Sequence, residues 1–208
     1  MYRACLLSAV IVTSSAVGQT EKESPSTSPY QVPTPKGWAK ETIALPPAFA
    51  PDMKWKGTEE LRFAPGMFKA DAPDFFSYAL LFWLPDDTVI DARTMERELL
   101  AYYRGLAAAV LKSKKQEADT KAFTLPLTAV KQQLDKRAGG ETVAGYVGEL
   151  KWTEPFATGK PQTLRLEIHS WPSAKHKHHC VFVCASPQPE TAAVWKTLRE
   201  IRAGCTCP

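Results

Sequence analysis

The sequence predicts an α+β domain: a mainly antiparallel β-sheet covered by two main helices, in an α/β/α sandwich-like arrangement. Three observations carry that expectation. Residues 75–84 read FFSYALLFWL, a charge-free, aromatic-rich run bounded by Pro73-Asp74 and Pro85-Asp86-Asp87, which suits a strand covered on both faces. Residues 178–185, HHCVFVCA, form a second nearly continuous apolar run. Segments 91–112 and 190–202 carry apolar residues every three or four positions, the stripe by which a helix packs.

Taken in order, residues 1–19 read as a cleavable signal peptide. A basic start at Arg3, an apolar stretch over 4–12 and small residues at 15–18 supply its three parts. The apolar stretch is shorter than the roughly 20 residues that cross a bilayer as a helix. No membrane span is therefore expected, and the mature protein is expected to be a soluble, secreted or periplasmic, bacterial-type protein. Residues 20–36, TEKESPSTSPYQVPTPK, hold four prolines and read as a flexible linker. Residues 37–208 then form one globular domain, enough chain for a proper core. Net charge is +4, too mild and scattered to point to nucleic acid or a membrane surface.

Within the domain, residues 38–45 alternate partly and stop at Pro46-Pro47, a first strand. Residues 58–63, TEELRF, place Leu61 and Phe63 on one face, a second strand. Ala64-Pro65-Gly66 has turn chemistry, and the 75–84 strand follows. Asp91 or Thr94 caps a helix to about residue 112, with Met95, Leu99, Tyr102, Leu106 and Val110 as its stripe. Residues 113–121 read as a loop. Residues 123–134 fit no single element, because Pro126 argues against a central strand. Residues 142–152 and 163–171 both alternate and form a long hairpin. After the 178–185 strand, Val194, Trp195, Leu198 and Ile201 mark the last helix.

This succession of three strands, a helix, several strands and a terminal helix resembles the Mog1/PsbP-like fold. The resemblance spans residues 38–202 and rests on element order, not on a signature motif; residues 123–134 depart from it. It implies a sheet sandwiched between helices and says little about function.

All the histidines, and every cysteine except Cys5 of the signal, fall in the last 40 residues. A disulfide framework suits an exported chain. Cys180 and Cys184 stand about 13 Å apart on a strand, beyond the roughly 7 Å a bridge spans. The last helix runs back about 18 Å, so a bridge is expected from Cys180 to Cys205 or Cys207. Cys184 is then a buried thiol, and a strained Cys205–Cys207 link is the alternative. The competing reading is a copper or zinc site built from His176, His178, His179 and Cys180, a soft ligand set. Its spacing matches no established finger or ribbon, and a basic loop explains the histidines equally well.

A second candidate is the polar stripe Glu149, Lys151, Arg165, Glu167 and His169, which hairpin pairing sets on one sheet face. Glu and His there are the groups of general acid–base catalysis, so a hydrolase is one reading. Charge pairs on a solvated face are the other. No Gly-x-Ser-x-Gly, phosphate loop, dinucleotide fingerprint or HExxH occurs. Apart from copper or zinc, no cofactor is expected. The sequence thus favours a non-catalytic binding or accessory domain for an unidentified protein or small molecule. A metal-handling protein and a hydrolase are the alternatives. Trp38, Phe49, Met53, Trp55 and Met67 lie in proline-broken segments, where they either face a partner or close the core.

Overall fold

Seven strands lie in one antiparallel sheet. A computed structural model describes residues 29–130, 142–173 and 175–207. The expected signal peptide, linker positions 20–28 and positions 131–134 of the segment without a clear element lie outside the described residues. The strands are β1 (Ala39–Leu45), β2 (Gly57–Phe63), β3 (Tyr78–Pro85), β4 (Leu127–Ala129), β5 (Ala144–Thr153), β6 (Pro161–Ser173) and β7 (His178–Ser186). They lie in the order β1-β2-β3-β7-β6-β5-β4. The two charge-free runs are therefore the central pair, with Leu81 opposite Phe182 and Trp83 opposite Cys180.

Strand β3 begins later than its composition suggests. Phe75, Phe76 and Ser77 form a turn, in which the Phe76 N–H donates to Met67 O at 3.1 Å and the Ser77 N–H to Asp74 O at 3.2 Å. All three are buried, and burial is what composition reports; it does not distinguish a buried turn from a buried strand.

Helix α1 (Ala92–Ser113) opens on Asp91, whose carboxylate accepts the Thr94 N–H at 2.7 Å, satisfying a donor that the first turn leaves unpaired. Its expected stripe is buried. Helix α2 (Ala193–Gly204) starts three residues after the expected Glu190, because Pro189 to Ala192 close a turn first, with Ala192 N donating to Pro189 O at 2.8 Å.

Parity along β3 divides the core. Leu80, Phe82 and Leu84 cluster with Met95, Leu99 and Tyr103 of α1. Ala79, Leu81 and Trp83 cluster with Trp195, Leu198 and Ile201 of α2. The segment without a clear element, as far as it is described, holds a bridge from Thr124 to Lys151 and the three-residue edge strand β4, which suits a stretch containing Pro126, and a 3-10 turn (Thr120–Ala122) precedes it.

The fold also takes in chain ahead of residue 37. Gln31 and Thr206 exchange two backbone hydrogen bonds, at 2.8 and 2.9 Å. Arg62 Nη2 donates to Val32 O at 2.7 Å, and the Tyr30 ring lies 5.4 Å from that of Trp83. Among the described residues, no helix is long and apolar enough to cross a membrane.

Candidate functional site: an aromatic crevice beside a buried carboxyl

Strand pairing sets Ile43 opposite Glu59 and Glu41 opposite Leu61. Alternation then puts Glu59 on the same side as Leu61 and Phe63, toward α1. Its burial is complete, at 0% exposure. The Tyr102 hydroxyl donates to Glu59 Oε1 at 3.4 Å, and Oε2 has no hydrogen-bond partner. Burial pushes the Glu59 carboxyl up to about 8; the Tyr102 hydrogen bond opposes this and the charge of Glu41 adds to it. Glu59 is therefore mainly protonated at neutral pH. Burial also raises Glu41 and holds the Tyr102 phenol well above its ordinary range.

Beside this acid lies a crevice of about 50 Å³ lined by Phe49, Phe63, Phe68, Phe76, Phe156 and Tyr102 among others, with Glu41 its one charged lining residue. That volume holds a few heavy atoms and not a drug-sized molecule. The Phe49 and Tyr102 rings meet edge-on at 5.1 Å, and Phe156 lies 5.4 Å from Phe68 and 5.6 Å from Phe76. Most of the lining is buried, whereas Phe68 is 39% exposed and Phe49 and Phe156 are half-buried.

Each wall has a local cause. Gly105 lets α1 approach the Phe49 backbone, since a Cβ there would fall 2.2 Å from Phe49 O. The loop between β2 and β3 is tied by the Asp74 carboxylate, which accepts the Gly66 N–H at 3.0 Å. It carries Phe76 at a φ of 46°, a conformation that a bulky side chain adopts at a cost of about 1 kcal/mol. Phe156 is placed by the buried Glu154, whose carboxylate accepts the N–H groups of Phe156, Ala157 and Thr158. Lys114 Nζ at the end of α1 donates to Pro155 O at 2.7 Å and also to Phe156 O. Comparison of the chain with models of protein families, with curated proteins and with solved structures finds no match.

Sequence reasoning singled out Leu61 and Phe63 in TEELRF and gave Glu59, on the same face, no role. Parity with Leu61 and Phe63 was the signal that places it inward.

The expected metal ligands are not gathered. The His178 ring stacks on Trp83 at 4.6 Å and its Nδ1 lies 2.6 Å from His176 O, while the His176 ring meets Trp83 edge-on at 5.9 Å. Cys180 shares the face of His178. His179, one residue along, turns to the α1 side, where burial lowers its imidazole. Among the described residues no three His, Cys, Asp or Glu side chains form a group able to hold a metal ion.

The expected bridge from Cys180 to Cys205 or Cys207 is likewise not formed, and the alternative Cys205–Cys207 link is open, its sulfurs 3.9 Å apart against about 2.05 Å for a bond. Helix α2 does return Cys205 and Cys207 to the apolar cluster that holds Cys180, where the sulfurs pack as small hydrophobes. At the other end of β7 the Cys184 thiol donates to Leu198 O at 3.4 Å, and burial pushes it up to about 12.

The polar stripe holds elements together. Glu149 faces Arg165 across the β5–β6 pair at 3.8 Å, and Arg165 Nη1 donates to Pro187 O at 2.8 Å. Glu167 takes two arginines of α2, Arg199 at 2.5 Å and Arg202 at 3.0 Å. Lys151 is exposed, and His169 lies opposite Gly145 and Phe182. Both glutamates of the stripe face arginines. Of the aromatic and methionine residues weighed as a partner surface, Met53, Trp55 and Met67 are buried in the core. Trp38 and Phe49 are half-buried.

Proposed function

We propose that this chain is a binding or accessory domain, not an enzyme, and that the crevice beside Glu59 takes a small, largely apolar group. The observation that carries this reading is the convergence of aromatic rings on a concave opening next to a buried carboxyl with an unpartnered oxygen. Core closure alone explains the buried rings but not an acid buried behind the Tyr102 wall of the crevice, because an unsatisfied buried polar group costs about 1–3 kcal/mol. The groups around Glu59 are tyrosines and a second carboxylate, and no nucleophile–base pair stands among them. We read the two apolar clusters as the layers of an α/β/α sandwich in the Mog1/PsbP-like manner, which supplies a scaffold and no function. Residues 1–19, read as an export signal, put the binding in the secreted or periplasmic space.

The test is a titration of the full chain with 1-butanol, followed by amide NMR. Binding in the crevice shifts the resonances of Phe49, Phe68 and Phe156 together and saturably, and Leu106→Trp, which fills the hole, removes the effect. Shifts scattered over the surface, or unchanged in Leu106→Trp, would refute the site.

A further inference from the structure

Resting on the reading of the crevice as a binding site, we propose that its ligand is a small organic ammonium ion. Two features of the molecule converge on that class. Aromatic side chains, Phe49, Phe68, Phe156 and Tyr102 among them, line the crevice, and an aromatic ring attracts a cation held within about 6 Å of its centroid. Glu41 is the one charged group on the lining, and among the described residues no lysine or arginine pairs with it.

One carboxyl group, Glu41, thus stands on an aromatic crevice with no cation paired to it. A neutral ligand would desolvate Glu41 further and return nothing for it. An anion would meet Glu41 and no basic side chain on the lining. An ammonium ion places its charge against Glu41 and its alkyl part against the rings. Size and surroundings favour a small molecule over a side chain of a partner protein. The crevice is about 50 Å³, and Phe68 is its one exposed large apolar lining residue. Among the described residues, the other exposed large apolar side chains, Val89 and Val147, do not line it.

The experiment is an NMR-monitored titration of the full chain with n-butylammonium, 1-butanol, butyrate and Nα-acetyl-lysine methylamide in parallel. The expected result is that n-butylammonium binds on the order of fivefold more tightly than 1-butanol and that butyrate binds worst. Glu41→Gln should remove the preference for n-butylammonium over 1-butanol. Equal or tighter binding of 1-butanol, or a cation preference that survives Glu41→Gln, would overturn the ligand class while the crevice stands as a site. Tighter binding of the lysine derivative would make a partner protein the source and overturn the small-molecule assignment. If none of the four moves the crevice resonances, the ligand class and the underlying site fall together.

Discussion

Tyr102 on α1 donates its hydroxyl to Glu59 on β2 across 3.4 Å, and that long bond is all that offsets the burial of the acid. Folded, Glu59 titrates near 8; its ordinary value is 4.5. Between those two values the native state holds one proton more than the unfolded chain. Stability therefore falls as pH rises through this window, by at most about 1.4 kcal/mol per pH unit, and the Glu59 contribution levels off on either side. Glu59→Gln, uncharged throughout, should flatten this slope and exceed the parent in stability at pH 8. Urea midpoints measured from pH 4 to pH 9 check it; a parallel pair of curves would show that Glu59 titrates normally.

Gly105→Ala should destabilise the domain by about 1–3 kcal/mol, although alanine is the better helix former by nearly 1 kcal/mol. The added Cβ would lie 2.2 Å from Phe49 O and 2.8 Å from Ala50 Cα, and backbone cannot swing aside as a flexible side chain does. Because Phe49 lines the crevice, the same variant should bind 1-butanol more weakly. Thermal unfolding and the titration together read both effects.

Removing Glu167 should loosen α2. Burial pushes this carboxyl up, but hydrogen bonds from Arg199 and Arg202 outweigh it and hold the group below its ordinary value. Its contribution is present above about pH 4.5 and is lost as pH falls through the lowered value. Glu167→Ala should cost about 1–3 kcal/mol at pH 7 and less as the pH drops below 4. Chemical denaturation at pH 7 and pH 3 makes the comparison.

Leu81→Asp should unfold the protein. Leu81 is 0% exposed between Glu60 and Phe182 in the sheet centre, where an unpaired carboxylate has no compensation. The same change at exposed Lys151 should move stability by no more than about 0.5 kcal/mol. Circular dichroism of the two variants separates them.

The sheet and its helices were legible because their signals are collective. A whole stripe from Met95 to Val110, or ten charge-free positions in 75–84, outvotes any single residue. Boundaries were less legible because they turn on single conformations. Phe76 ends a turn at a positive φ that its side chain does not advertise, and no side chain caps the start of α2. The polar stripe read correctly as alternation, but alternation fixes only the face. What stands over that face came from α2, whose Arg199 and Arg202 lie more than 30 positions from Glu167 in sequence. Along the histidine and cysteine cluster, closeness in sequence is not closeness in space: on β7, neighbours His178 and His179 point to opposite sides. The crevice was hidden for the converse reason, since Glu41, Glu59, Tyr102 and Phe156 come from four separate segments.

The most direct measurement is a crystal structure of the full chain soaked with n-butylammonium. The account predicts electron density between Phe49 and Phe156, with the ammonium nitrogen toward Glu41. An empty crevice at a soak concentration that saturates the NMR titration, or a cation bound at another surface, would contradict it.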